Sequence, residues 1–350
     1  MTSTLHRAFA RTPSRVAALV AAASLMAVAG CSSSSENDAS STAGSGAGSS
    51  TVNLVGFAVI QSAYDDLAKG FAATDAGKGV TVKGSYGASG AQSRAVIAGQ
   101  KADVVALSLT PDVNNIVDAG LIDKTWADDA NKGIVSDSVV VIAVRKGNPK
   151  HITGWDDIVK PGVGIVTADP GTSGSAKWNL LGAYSQALGA DLSDKAAAQD
   201  YLGKFVKNVV SWNDSGRTAT DAFVKGTGDV LISYENEAIA ARAAGEDLDY
   251  IVPSTTFLIE NPAAVTTKAV PAAKAFLDYV RSDAGQQVLG AHGFRSVSGA
   301  KPTSDVKGAN DPANPFPAVK AITVADLGGW STVNDELFDK DNGLVAKLRG

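Results

Sequence analysis

Two short stretches carry the residues best suited to chemistry. Tyr86–Gly99, YGASGAQSRAVIAG, and Thr167–Leu181, TADPGTSGSAKWNLL, each pass from an apolar segment through Gly-x-Ser-Gly into a helix-forming run, and Ser89 and Ser173 hold the same place in both. A helix start offers unpaired backbone N–H groups and the positive end of the helix dipole, and Gly lets a ligand approach the backbone. Ser and Thr hydroxyls add donors without charge, so the chemistry offered is that of an oxyanion site. A third stretch, WNDSGRTATDAFVKGTGDVLISYENEA, Trp212–Ala238, has another Gly/Ser/Thr turn, carrying Arg217, and ends a strand at YENEA. The carboxyl ends of strands are where open α/β sheets place ligands. Ser and Thr are also ordinary helix N-caps; one such turn alone indicates only a capped helix, and the pair is what points to a ligand.

Competing chemistries fit these residues less well. GTSGSAKW shares the first Gly and Lys177 with the nucleotide-binding pattern G-x-x-x-x-G-K-[ST], but Ala176 replaces the second Gly and Trp178 stands where the magnesium-binding hydroxyl belongs. A serine hydrolase needs a His base and a carboxylate beside its nucleophile. Ser89 and Ser173 lack the fifth-position Gly of G-x-S-x-G, and His151 and His292 both fall in or beside loops, where a solvated His is expected. Beyond His6 in the first thirty residues, two distant His and one Cys have no metal-ligand spacing, and no cofactor is expected.

These turns must be positioned by a sizeable framework. The chain has 350 residues, 45% hydrophobic and 19% charged, enough for one large domain or two moderate lobes. Its first thirty residues read as an export leader: Arg7, Arg11 and Arg15, then VAALVAAASLMAVAG. The leader runs into Cys31, the chain's single Cys, so no intramolecular disulfide can form. VAGC followed by SSSSENDASSTAGSGAGSS resembles the lipobox and tether of bacterial lipoproteins, which makes Cys31 the lipidation site, residues 31–51 a flexible spacer and the outer face of the cytoplasmic membrane the location. Removing the leader takes away three Arg and no acid, so the formal charge of −5 becomes −8. An acidic body argues against nucleic acid or an anionic membrane surface as partner.

From Val52 onward short apolar runs alternate with amphipathic ones in a β-α-β-α rhythm. TVNLVGF precedes a helix over 62–73, GVTVKGSYG one over 90–99, and ADVVALSL one over 113–119. After SVVVIAVRKGNP come helices near 155–158, after Ser175 and over 195–207, with strands at VGIVTA, VVSW and DVLISY. Two series of comparable length predict two α/β lobes: 52–138, then 139–252, then a return through 253–350. The return carries one long helix from Pro271 to near Gly293, a Pro-rich wrapping loop over 298–317, and a GGW segment before a terminal helix.

In this order the motifs SYGASGAQ, ADVVALSL, VRKGNP, GWDDIVKPGV, PGTSGSAKWN, DSGRTATDAF, GDVLISYENEA and FLDYVRSDAGQ resemble the bacterial sulfate-binding and thiosulfate-binding proteins, substrate receptors of ABC importers. The resemblance spans nearly the whole mature body. It implies the two-lobed type II periplasmic-binding-protein fold, two crossing strands, an anion in the cleft, membrane permease subunits as partners, a monomer and no enzymatic activity. Carried over residue by residue, it implies an N–H and a hydroxyl from Ser89, a hydroxyl from Ser173, and N–H groups from Gly174 and Ser175, with Ser175 standing where Gly is usual. Ala58 replaces an Asp whose backbone N–H makes the contact, Tyr234 replaces an indole donor, and a turn shortened by one residue leaves the next N–H to Gly216 or Arg217.

Sulfate is fully ionised at neutral pH and only accepts hydrogen bonds, so a pocket of donors suits it. Hydrogen phosphate brings a proton that such a pocket leaves unpaired, at about 1–3 kcal/mol. Two other classes remain open at this stage: an exported hydrolase using Ser89 or Ser173, and an adhesion or interaction module that has lost the anion. Choice among sulfate, thiosulfate and molybdate is open as well.

Overall fold

A computed structural model describes residues 50–350; the leader, Cys31 and all but the last two residues of the expected spacer lie outside the described residues. Ser50 and Thr51, expected in that spacer, are already strand, because both pair with a neighbouring strand at Val80 and Thr81.

The chain opens with β1 (Ser50–Phe57), a short turn of helix at Ala58–Ile60, α1 (Gln61–Ala72), β2 (Val80–Gly87), α2 (Ser89–Ile97), β3 (Val104–Ala106) and α3 (Thr110–Asp118). The long strand β4 (Ile134–Arg145) leads to α4 (Trp155–Ile158), β5 (Ile165–Ala168), α5 (Gly174–Ser185), α6 (Lys195–Asn208), β6 (Val209–Asn213), α7 (Gly216–Val224), β7 (Val230–Tyr234), α8 (Glu235–Ala244) and β8 (Leu248–Ile251). A second long strand, β9 (Thr255–Val265), is followed by α9 (Pro271–Arg281), α10 (Asp283–Ala291), β10 (Lys320–Ile322), α11 (Gly329–Val333) and α12 (Leu344–Arg349). The α/β alternation read from the sequence is present.

The strand order is β2-β1-β3-β9-β4-β7-β5-β6, with β10 on β9 and β8 on β4. β1 pairs in parallel with β2 and β3, and β5 with β6 and β7, whereas β4 and β9 run antiparallel to each other and to their neighbours β7 and β3. β4 changes partner along its length: Ile134–Val139 pair with β9, and Val140–Val144 with β7. β4, with its partner β9, therefore stitches two half-sheets together.

α5 lies under this seam. Every residue from Gly174 to Ser185 except Lys177 is buried, so no polar face exists to set a period. Gly182 lets it press on β4, since a Cβ there would meet Val140 Cγ1 at 3.0 Å. Trp178 packs between Phe257 and Trp330, at ring separations of 5.9 and 5.0 Å.

Two expectations are corrected. The helix from Pro271 is not continuous: Ser282 is extended, and its hydroxyl accepts the Gly285 N–H, capping α10 as a separate helix. His292 is not a solvated His, because its Nε2 lies 2.9 Å from Asp66 Oδ2 on α1. The segment 298–317 has no helix or strand, as expected, and buries Val306 and Ala309. No helix among the described residues is long and apolar enough to cross a membrane.

Candidate functional site

Helix starts in this chain are handled in two different ways. α6, α7 and α10 are capped by Asp194, Ser215 and Ser282, whose side chains accept backbone N–H groups of their own first turns. α2 starts after Ala88 and α5 after Ser173, with no side-chain cap bond at either. In α2 the first N–H in the helical ladder is that of Gln92, given to the Ala88 carbonyl, which leaves Ser89, Gly90 and Ala91 ahead of it. Capping thus accounts for Ser215 and not for Ser89 or Ser173. α7 has a full capping box between Ser215 and Thr218, so only the Gly216 and Arg217 N–H groups precede its ladder.

These starts meet around Ser108, a residue on the link from β3 to α3 that sequence reasoning missed. Ser108 N–H donates to Ser89 Oγ at 3.0 Å, and Ser108 Oγ lies 2.7 Å from Tyr234 Oη. Its carbonyl accepts from Trp178 Nε1 at 3.0 Å and Asn261 Nδ2 at 3.3 Å, and Trp178 Nε1 also lies 3.2 Å from Ser108 Oγ. Side chains press closely on two of these glycines: a Cβ on Gly174 would fall 2.7 Å from Ser108 Oγ and 2.8 Å from Leu109 Cγ, and one on Gly216 2.8 Å from Ser175 Oγ. That Gly216 Cβ would also lie 3.1 Å from Val59, which brings the Ala58 turn to the same place, while Phe57 packs on the Tyr234 ring at 6.2 Å. Gly90 sits against the Thr172 carbonyl, joining the Ser89 and Ser173 turns. Ala58, Ser89, Ser173, Gly174, Ser175, Gly216, Arg217 and Tyr234, spread over 177 positions of sequence, come together in one cluster, all of it buried except Ala58 and Arg217, which are partly exposed. A cavity of about 600 Å³ bounded by Trp155, Ser185, Ser254 and Lys320 lies elsewhere and includes none of them.

Charged side chains near the cluster are matched by partners. Arg217 is half-exposed and its guanidinium bonds Glu237, which is 1% exposed. Arg295 makes a two-point bond to buried Glu235. Burial raises the carboxyl pKa of both Glu235 and Glu237, against the lowering pull of those Arg. Lys177 donates to Asn334 Oδ1, and burial lowers its ammonium pKa. One carboxylate was not foreseen. Asp112 accepts the Ser89 hydroxyl at 2.5 Å, and burial raises its pKa despite that bond and the nearby Lys177 and Arg94. The hydroxyl expected of Ser89 as a donor is therefore committed, and the surroundings are not made of donors alone. The signal for Asp112 was an acid in the first turn of a helix, which on its own reads as dipole complementation. Burial pushes the Tyr234 phenol far above its ordinary range, which keeps it protonated and able to donate.

Residues 52–295 match the family model described as bacterial extracellular solute-binding protein. A sulfate-binding protein of Synechococcus elongatus is 40% identical, with 95% of each chain covered. A thiosulfate-binding protein of Pseudomonas aeruginosa is 34% identical over 78% of this chain and 83% of its own. Among solved structures, the sulfate-binding protein SubI of Mycobacterium tuberculosis H37Rv superposes with a TM-score of 0.77 at 43% identity, covering 83% of this chain and all of that one.

Proposed function

Because the chain belongs to the bacterial extracellular solute-binding proteins, among relatives that bind sulfate and thiosulfate, we propose that it captures sulfate or thiosulfate outside the cell membrane and delivers it to an ABC importer. Its fold is the two-lobed type II fold of periplasmic binding proteins. The observation that carries the reading is the convergence of two helix starts without a side-chain cap, and of the Gly216 and Arg217 N–H groups ahead of the α7 ladder, on a centre where Arg217 is held by Glu237 and Arg295 by Glu235.

At that centre the donors are the N–H groups of Ala58, Ser89, Gly174 and Ser175, one N–H from Gly216 or Arg217, and the hydroxyls of Ser173 and Tyr234. Ser89 contributes its N–H, its hydroxyl being held by Asp112. A dianion is stabilised here by local dipoles in a desolvated site. The acidic surface is screened beyond about 8–10 Å and does not oppose it. Residues 52–138 with 253–350 form one lobe and 139–252 the other; the partner switch in β4 between Val139 and Val140 supports that division. Closing the lobes brings the Ser89 turn against the Ser173 turn. Cys31 is the lipid anchor, and its spacer gives the body reach toward the permease.

The test is calorimetric titration and thermal melting of the purified protein with sulfate, thiosulfate, molybdate and phosphate. Tight binding of sulfate or thiosulfate with phosphate at least tenfold weaker is expected, and no heat or melting shift with any of the four would sink the reading.

A further inference from the structure

We propose that Ser108 is a positioning residue that orients a hydrogen-bond relay, Trp178 Nε1–H to Ser108 Oγ–H to Tyr234 Oη–H, so that the phenol hydrogen is presented to the bound anion. The proposal rests on the anion-binding reading above.

The direction of the relay follows from counting donors and acceptors. An indole N–H can only donate, whereas a hydroxyl has one hydrogen and two lone pairs. Trp178 Nε1 points at Ser108, dividing its hydrogen between the carbonyl and Oγ at 3.0 and 3.2 Å. The Ser108 carbonyl is filled by that indole and by Asn261 Nδ2. With the indole hydrogen arriving at Oγ, the Ser108 hydrogen turns toward the acceptor 2.7 Å away, Tyr234 Oη. Tyr234 then has its own hydrogen left for the other side of the phenol, where its second hydrogen-bonding neighbour is the Ser175 side chain at the start of α5, beside the N–H groups proposed for the anion.

The opposite direction leaves more unpaired. If Tyr234 gave its hydrogen to Ser108, the Ser108 hydrogen would have no remaining acceptor among its bonded neighbours. Water cannot supply one, since Ser108 and Trp178 are fully buried and Tyr234 is 1% exposed. The anion would then face phenol lone pairs. Each bond in such a chain polarises the next, so the indole strengthens the terminal donor as well as setting its direction. Gly174 makes the arrangement possible, because any side chain there would displace Ser108 Oγ. Trp178, although not one of the site donors proposed above, therefore acts on the anion through two hydroxyls.

Sulfate titrations of wild type, Ser108→Ala, Tyr234→Phe and the double variant test this. Each single variant is expected to weaken sulfate binding by about tenfold or more, and the double to bind no more weakly than Tyr234→Phe. A Tyr234→Trp background separates positioning from simple packing. An indole has one N–H that needs no partner to orient it, so adding Ser108→Ala there should change affinity by less than about threefold. Losses that multiply in the double variant, an unchanged affinity in Ser108→Ala, or an equal Ser108→Ala loss in the Tyr and Trp backgrounds would each overturn the relay while leaving the anion-binding reading intact. A wild type that binds none of the four anions overturns both.

Discussion

At the scale of single residues the site is governed by what each side chain has already been given. Ser89 was expected to offer a hydroxyl and an N–H, yet its hydroxyl belongs to Asp112. Arg217 is the one residue of the eight with a positive charge, and that charge belongs to Glu237. Removing one partner of such a pair strands a buried carboxyl, which costs about 3–5 kcal/mol when both groups are buried; the exposure of the Arg217 side chain brings this down to about 2 kcal/mol. Arg217→Ala should therefore lower the melting temperature by several degrees while leaving the sulfate Kd within about threefold, as calorimetry on the folded variant would read. A hundredfold weaker Kd would place the guanidinium on the anion instead. Tyr234→Trp poses the complementary question for the phenol. Titrating sulfate and thiosulfate against wild type and this variant should show sulfate affinity retained or improved, since the indole supplies one donor directly; complete loss would mean that the pocket is shaped around a phenol.

At the scale of elements, the turn before α5 is held by parts distant in sequence. The Asp169 carbonyl accepts the N–H groups of Thr172 and Ser173, and its carboxylate accepts from Gly171, so Asp169 shapes the approach to Ser173. Arg349, next to the last residue of the chain, makes a two-point bond to that carboxylate at 2.6 and 3.2 Å and lies 4.4 Å from the Trp212 ring centre. Bidentate geometry and ring stacking make this pair stronger than an ordinary surface contact. Arg349→Ala should weaken sulfate binding about threefold to tenfold, mainly through faster release, and Arg349→Lys should recover only part because an ammonium cannot bind both oxygens in one plane. Stopped-flow release rates would check it, with an unchanged rate in Arg349→Ala showing that the turn stands without its clamp.

At the scale of the whole molecule, β4 and β9 are the long strands joining the two half-sheets, and they set two acids opposite each other. Asp137 and Glu260 are direct register partners. Burial and the Glu260 charge push the Asp137 carboxyl up to about 7 from its ordinary 3.8, against the pull of Arg295, and burial raises Glu260 against Lys132. A carboxyl whose pKa is higher folded than unfolded holds its proton more tightly in the native state. Its contribution is complete below pH about 4 and is lost as pH rises through about 7. Asp137→Asn removes that loss, so relative to wild type it should gain stability between pH 5 and pH 8, on the order of 2–4 kcal/mol. Denaturant melts at the two pH values would measure the gain, and an identical difference at both would show that Asp137 does not titrate there.

The local information in the sequence was enough for the alternating elements and the Gly-x-Ser-Gly starts of α2 and α5, whereas Ala58, Gly216 and Tyr234 were singled out only by the family resemblance. Hydrophobic period, Gly placement and helix-start chemistry are set within ten or fifteen residues of one another and can be read there. The same reading ran the helix from Pro271 through Ser282, because its apolar period carries on across the break, and only the cap at Gly285 separates α9 from α10. It could not find Ser108, Asp112 or Arg349, since an isolated Ser, a helix-start Asp and a terminal Arg have no local pattern to mark them. The caps are local, each made three residues ahead, but whether the Ser89 hydroxyl still has a hydrogen to give and what clamps Asp169 depend on partners 23 and 180 residues away in sequence. The sequence alone determined which donors the chain possesses. The tertiary structure decided which of them are already spent, because a hydrogen bond is made once and its partner is chosen by folding.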